Sequence, residues 1–429
     1  MFIFGSQFVY FCAVLNLIMD WNHGEKFMKH DFPIFNQTIN GYPLRYLDNA
    51  STSQKPQVII DAMVDFYTTK NANIYRGSHA FAERATQEYE DARSMVAQFI
   101  GARADEIIFT SGCTESLNYV AAGWAMCHIQ PGDTIVVSAL EHHANILPWQ
   151  RIVEQKNAML RIIPIHQDGT LNLANLNQII GPGTKLVSIT HTSNALGTQV
   201  DLMPIVKRAH EVGALVCIDA AQSVAHKRID VRALNCDFLA FSGHKLFGPT
   251  GIGVLYIKKD IQPQVEPYQV GGGMVFEVSW ADSTYLQSVN RFEAGTPPIA
   301  QAIGLAAAIT YLQTLDFEAL ATHEAALCTA LIQGLEGIAG TRILGPIDQL
   351  RRSGHMVSFT LEAIHSHDVV AFLSDRGICV RAGNHCAQPL FTTLGLEGSV
   401  RASFAGYNTL EDVEFLLKSL FELVTLFKS

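Results

Sequence analysis

Two residues, each placed where an apolar run ends, set the chemistry open to this chain. Lys245 stands in Ser242-Gly243-His244-Lys245 directly after the apolar residues 238–241, and Asp219 closes the apolar run 214–218. An amine among small and aromatic neighbours suits a Schiff base with a carbonyl cofactor, and a carboxylate at another strand end suits that cofactor's ring nitrogen. Pyridoxal 5'-phosphate (PLP) is the cofactor that needs such a pair. A lone lysine beside a loop is ordinarily a surface residue; here other polar residues accompany it.

Phosphate needs backbone N–H donors and a helix dipole. Phe109-Thr110-Ser111-Gly112-Cys113-Thr114-Glu115-Ser116 supplies both, as a strand, a small-residue turn and a helix start. Taken alone it would read as a capped strand-to-helix junction; with Ser242 and His244 it reads as an anion cradle. His142, in Glu141-His142-His143-Ala144-Asn145, is placed to lie against an aromatic ring and to serve as acid or base. Asn194 and Gln222 follow two further strands and suit a ring hydroxyl.

These residues require a parallel sheet to bring them together. Strands are expected at 107–110, 134–138, 160–165, 186–190, 214–219, 237–241 and 253–257, with helices such as 115–126 and 202–212 between them. Alternation of that kind marks an α/β sheet whose ligands bind beyond the carboxyl ends of the strands. After Pro297 the pattern changes to long helices at 300–313 and 317–336, a strand pair near 342–344 and 356–360, and a terminal helix from about 409. This reads as a smaller α+β domain.

The chain has 429 residues, 48% of them hydrophobic and 16% charged, with a formal net charge of −10. Such a length buries a large core, and the charge gives no footprint for nucleic acid or an anionic membrane. Neither partner is expected. The eight cysteines show no zinc spacing and no disulfide framework, which points to a reducing, cytoplasmic setting. Residues 2–19 are almost wholly apolar but lack the basic flank of a signal peptide, so they are expected to lie upstream of a true start at Met19 or Met28.

The ordered motifs resemble the cysteine desulfurases of the class V aminotransferase group, and within them the SUF-type, or class II, branch. The resemblance runs from about Asp31 to the C-terminus. It rests on Tyr46-Leu47-Asp48-Asn49-Ala50-Ser51, Tyr75-Arg76-Gly77-Ser78-His79, the Glu141 and Asp219 motifs, Ser242-Gly243-His244-Lys245, Arg291-Phe292-Glu293-Ala294-Gly295-Thr296-Pro297 and Arg381-Ala382-Gly383-Asn384-His385-Cys386-Ala387. It implies a PLP-dependent transferase of fold type I: a mostly parallel seven-stranded sheet domain (46–297), a smaller α+β C-terminal domain (298–429), a segment 29–45 packed with the latter, and an extension 1–28.

The resemblance also implies roles. Lys245 would carry the cofactor, Asp219 would hold its ring nitrogen protonated, Gln222 would contact the ring oxygen and His142 would stack on the ring. Cys113, Thr114, Ser242 and His244 would bind the phosphate, with Thr296 reaching it from the other subunit of a homodimer. Arg401 would clamp the substrate carboxylate, as a bidentate guanidinium can, and Asn194 and Arg381 would complete the pocket. Cys386 would take sulfur from L-cysteine as a persulfide and release alanine, supplying iron–sulfur cluster assembly through a SufE-like or SufU-like acceptor. Selenocysteine lyase, or another enzyme of the group, is the alternative.

Two positions depart from the branch pattern. Asn384 replaces a usual histidine beside Cys386, and Cys113 replaces a threonine, leaving only its backbone to donate. The tract Gly271-Gly272-Gly273-Met274 resembles the branch's interface hairpin.

Overall fold

The structure, a computed structural model, describes residues 28–428. The apolar N-terminal stretch lies outside the described residues. At the centre is a seven-stranded sheet made of β1 (Ile107–Thr110), β2 (Thr134–Ser138), β3 (Met159–Ile163), β4 (Thr184–Thr190), β5 (Leu215–Asp219), β6 (Phe238–Ser242) and β7 (Gly253–Ile257), in the order β1-β7-β6-β5-β4-β2-β3. Strands β6, β5, β4, β2 and β3 run parallel, while β7 is antiparallel to both β1 and β6.

Every residue of β1, β2, β6 and β7 is buried. Such strands need apolar cover on both faces, which is why their sequences read as continuous hydrophobic runs. Side chains alternate between two layers. Val136, Val187, Val216 and Phe241 meet Tyr89 and Val96 of α1 (Ala80–Phe99), whereas Ile135, Leu186, Cys217 and Phe238 meet Leu117 of α2 (Cys113–Val120), Trp124 and Trp149.

The strand at 160–165 stops at Ile163, because Pro164 has no N–H for the ladder. The helix expected at 115–126 starts earlier, at Cys113, and passes into a π turn at Ala121–Ala125. There Glu266 N–H donates to Gly123 O (2.9 Å), and a Cβ at Gly123 would lie 2.4 Å from Glu266 O.

A short hairpin, β8 (Val275–Val278) and β9 (Ser283–Tyr285), follows the glycine tract, paired as Val275↔Tyr285 and Val278↔Ser283 with an irregularity between Val275 and Glu277. The second sheet is antiparallel throughout: β10 (Thr341–Leu344), β11 (Met356–Leu361), β12 (Arg381–Gly383) and β13 (Ser399–Ser403), in the order β10-β11-β13-β12. Helices α4 (Phe317–Glu336) and α5 (Leu410–Lys428) cover it through Leu327, Leu331, Leu416 and Leu420, and α3 (Ile299–Gln313) joins the large core through Leu305 and Ile309. Arg45–Tyr46 runs parallel beside Ile378–Cys379, with the Arg45 guanidinium over the Phe415 ring. No helix among the described residues is long and apolar enough to cross a membrane.

Candidate active site

Sheet register gathers the polar residues at one edge. Thr190 lies opposite Asp219, Asp219 opposite Ala240, and Gly253 opposite both Thr110 and Ser242. A cavity of about 260 Å³ opens there, near the lower end of the ~300–1,000 Å³ typical of small-molecule sites. Every candidate residue except Thr296 lines it. Thr296 is exposed in the turn before α3, outside the cavity.

One end of the cavity is built for an anion. Helix α2 begins at Cys113 after Gly112, and no side chain caps it. Its positive dipole end therefore lies at the cavity, which Cys113 and Thr114 line. Cys113 N–H donates to Ser242 Oγ (2.8 Å), and β7 starts with Gly253 because a Cβ there would lie 2.4 Å from Gly112 Cα. The Cys113 thiol turns away from this end and donates to Asp219 Oδ1 (3.4 Å). Burial raises it well above the ordinary thiol range.

Lys245 sits in a turn whose backbone is held from the N-terminal segment. The carbonyl of His244 accepts from Ser53 N–H (3.0 Å), Thr52 Oγ1 (3.1 Å), Ser53 Oγ (3.2 Å) and Lys55 Nζ (2.9 Å). Such convergence on the preceding carbonyl fixes where the Lys245 side chain starts. Burial lowers the Lys245 amine below the usual lysine range, and the Asp219 carboxylate opposes that shift. Asp219 is itself held by Ala221 N–H (2.9 Å), and Gln222 Nε2 donates to Ala50 O (2.7 Å).

His142 caps the short turn after β2, its Nδ1 accepting from Ala144 N–H (3.0 Å), which leaves the proton on Nε2. Burial, then the Lys245 charge, lowers it to about 4. It is a neutral imidazole at neutral pH.

The opposite end carries two arginines around one carboxylate. Buried Arg401, on β13, donates from Nη1 to Asn194 O (2.6 Å) and from Nη2 to Asp48 Oδ1 (3.1 Å) and Ser51 Oγ (2.8 Å). Arg381 Nε reaches Asp48 Oδ2 at 3.2 Å. Burial lowers Arg401 to about 10, with Asp48 opposing, so it remains a cation at neutral pH.

Cys386 is exposed on the loop after β12 and faces the same cavity as Lys245 and Arg401. Its loop is pinned to the large sheet: Cys386 O accepts from His143 N–H (2.7 Å), Gln388 N–H donates to His143 Nε2 (3.0 Å), and Asn194 Nδ2 donates to His385 O (2.6 Å). His385 and Cys386 both adopt left-handed backbone, with φ of 51° and 56°. Asn384 Oδ1 accepts from Cys386 N–H (3.2 Å), an Asx turn that supports this conformation. The His385 ring is buried, bonded through Nε2 to Ser399 Oγ, and lowered to about 2 by burial. It brings no positive charge to the thiol, whose cationic neighbours in the cavity are the arginines and Lys245.

Four participants escaped the sequence reading: Asp48, Ser51, Lys55 and Glu293. Glu293 takes a bidentate ion pair from buried Arg93 (2.7 and 2.9 Å) and accepts from Phe109 N–H (2.7 Å), tying the segment that bears Thr296 to β1. Asp48, Ser51 and Glu293 lie in the quoted motifs, but their partners are far away in sequence.

Fold and site together define a class V aminotransferase: the model of that family, aminotransferase class-V, matches residues 45–416, and the chain belongs to it. Relatives within the family include cysteine desulfurases. The chain is 44% identical over 395 residues to a cysteine desulfurase of Enterobacter, covering 92% of this chain and 96% of that one. It is 46% identical over 394 residues to a probable cysteine desulfurase of Mycolicibacterium paratuberculosis, covering 92% of this chain but 57% of that longer protein. The apo cysteine desulfurase of Thermococcus onnurineus superposes with a TM-score of 0.88 at 41% identity, over 92% of this chain and 97% of that one. The Escherichia coli cysteine desulfurase CsdA gives 0.86 at 37%, over 93% and 98%.

Proposed function

We propose that this protein is a PLP-dependent cysteine desulfurase that converts L-cysteine to L-alanine and keeps the sulfur as a persulfide on Cys386. One observation carries the reading: Lys245 and Cys386 line a single cavity. The donor set fits PLP. An uncapped helix start meets Ser242 at the phosphate end, a carboxylate stands at Asp219, and an amine lowered by burial stands at Lys245.

When bound, PLP supplies an electron sink for the substrate's carbon skeleton. Asp219 would hold a proton at the ring nitrogen, and Lys245 would take the α proton through Nζ. The neutral His142 would cover the ring and offer its Nε2 proton. Arg401 and Arg381 orient the substrate carboxylate, with Asn194 beside them. Cys386 Sγ attacks the substrate sulfur: an S–S bond forms, the substrate C–S bond breaks, and the thiol proton balances the alanine that leaves. No outside oxidant is needed.

The same reading keeps Cys113, Thr114, Ser242 and His244 on the phosphate, Gln222 at the ring oxygen, and Thr296 for the partner of a homodimer. Exposure of Phe276 and Trp280 on the β8–β9 hairpin supports a second copy. We divide the chain as before, into a large unit at 46–297 and a small one at 298–429. The seven free cysteines among the described residues suit a reducing cytoplasm. An acceptor protein of the SufE or SufU kind would collect the sulfur for iron–sulfur cluster assembly.

The test is the mass of the Cys386 peptide after exposure of the PLP-loaded protein to L-cysteine. A gain of one sulfur atom, with alanine formed in step, is expected. Alanine formation that continues in Cys386→Ala at the original rate would overturn the persulfide mechanism.

A further inference from the structure

Cys113 commits both of its polar groups inside the protein, and they serve opposite ends of the cavity. Its N–H donates to Ser242 Oγ (2.8 Å) at the anion-suited end, whereas its thiol crosses to Asp219 Oδ1 at 3.4 Å. Cys113 and Asp219 are each 5% exposed, and both line the cavity. Oδ1 also accepts from Ala221 N–H (2.9 Å), while Oδ2 takes no hydrogen bond among the described residues. One oxygen of this carboxylate is held by two donors, and the other is left for a ligand.

The thiol is present as a donor and not as a second anion, because burial, and then the Asp219 charge, raises it well above the ordinary thiol range. The other titratable groups that face Asp219 do not replace it. Burial raises Glu141 to about 8 and Cys217 to about 12, so both keep their protons at neutral pH, and His142 is neutral. Lys245, the cation among them, is the residue that the cofactor would occupy. A donor to a buried carboxylate stabilises its charged form and weakens its hold on any other proton. An S–H group is a weak donor, so its influence is graded: it tempers the carboxylate without neutralising it.

We propose that Cys113 is a positioning residue for Asp219: its S–H fixes Oδ1 and draws off part of the carboxylate's charge, which moderates how firmly Oδ2 holds the proton on the cofactor's ring nitrogen. The inference rests on the reading that sets Asp219 at that nitrogen. It assigns a task to the side chain that stands where the related branch has threonine.

Two measurements on the PLP-loaded protein test it. The infrared S–H stretching band of Cys113, isolated as the difference between wild type and Cys113→Ser, should lie lower than that of a thiol without an acceptor and should rise in Asp219→Asn. The second measurement is the pH midpoint of the cofactor's visible band, read beside the phosphorus NMR signal of its phosphate. Without the thiol the ring keeps its positive charge more firmly, and the proton on the link to Lys245 becomes easier to lose. The midpoint should therefore fall in Cys113→Ala by about threefold in the equilibrium constant, the size of one modest hydrogen bond, with the phosphorus signal unmoved. Cys113→Ser keeps a donor and should stay at the wild-type midpoint, whereas Cys113→Val fills the space without one and should follow alanine. An infrared band indifferent to Asp219→Asn, a midpoint that holds or rises in Cys113→Ala, rescue by valine but not by serine, or a shift that comes only with a moved phosphorus signal would each overturn the proposal. Should the alanine or valine variant not fold, the infrared comparison, which needs only Cys113→Ser and Asp219→Asn, still decides it. A midpoint untouched by Asp219→Asn would defeat the placing of Asp219 at the ring nitrogen; one that moves there but not in Cys113→Ala would defeat the role of Cys113 alone.

Discussion

Cys386 holds a backbone conformation that a side-chain-bearing residue rarely adopts, and so does His385 before it. Left-handed φ at such residues costs on the order of 1–3 kcal/mol each and survives only where neighbours enforce it. The enforcement here is local, from the Asn384 side chain, and distant, from His143 and Asn194. Asn384 supplies a compact acceptor that suits the turn. We expect Asn384→Ala to slow persulfide formation roughly fivefold, the value of one hydrogen bond of about 1 kcal/mol, with L-cysteine binding unchanged. Single-turnover kinetics would check this, and an unaltered rate would mean that the distant contacts alone hold the loop. Lys245→Ala should abolish the cofactor's covalent attachment, read as loss of its visible band after dialysis.

At the scale of elements, the anion-suited end of the cavity depends on three backbones meeting without side chains between them: the end of β1, the start of α2 and the start of β7. Gly253→Ala would put a methyl group 2.4 Å from Gly112 Cα. The helix start must then move, and overpacking of this kind costs typically about 1–3 kcal/mol. The expected result is at least tenfold weaker retention of PLP in a protein that still folds, measured by equilibrium dialysis; unchanged retention would show that the cradle has slack. Most of this architecture is legible in the sequence, since strands covered on both faces are forced into unbroken apolar runs and their polar successors then fall at one edge. What could not be read is pairing across long separations. Asp48 and Arg401 are 353 residues apart, and Lys55 meets the His244 carbonyl across 189. Nothing in local pattern marks either contact. The π turn after α2 escaped for a related reason: Gly123 marks a weak point in the helix, but the Glu266 chain that crosses it comes from far downstream.

On the scale of the whole molecule, the imidazoles buried between the two sheets make stability depend on acidity. His191, His355 and His385 are buried, and each has one ring nitrogen without a partner among the described residues. Burial lowers His191 to about 3 and His385 to about 2, and pushes His355, stacked on His226 at 3.7 Å, well below its ordinary value. An imidazole whose folded pKa lies below its unfolded value of about 6.5 binds its proton preferentially in the unfolded chain. Stability is therefore complete above about pH 6.5 and falls as the solution is acidified toward the folded values. Buried Glu141 works in the opposite sense: burial raises it to about 8, so the folded protein keeps a proton that the unfolded chain releases. His142 and His244, lowered by burial to about 4, act in the same sense as the other imidazoles, so five imidazoles against one carboxyl leave a net uptake of about four protons on unfolding between pH 6 and 5, each worth about 1.4 kcal/mol per pH unit. Urea unfolding of the PLP-loaded protein should show a midpoint that drops steeply from pH 7 to pH 5. Substituting His355→Gln, which fills similar space with a side chain that does not titrate, should flatten that slope by about a quarter. A midpoint constant over this range would mean that the buried imidazoles are protonated in the folded state, against the environment their neighbours give them.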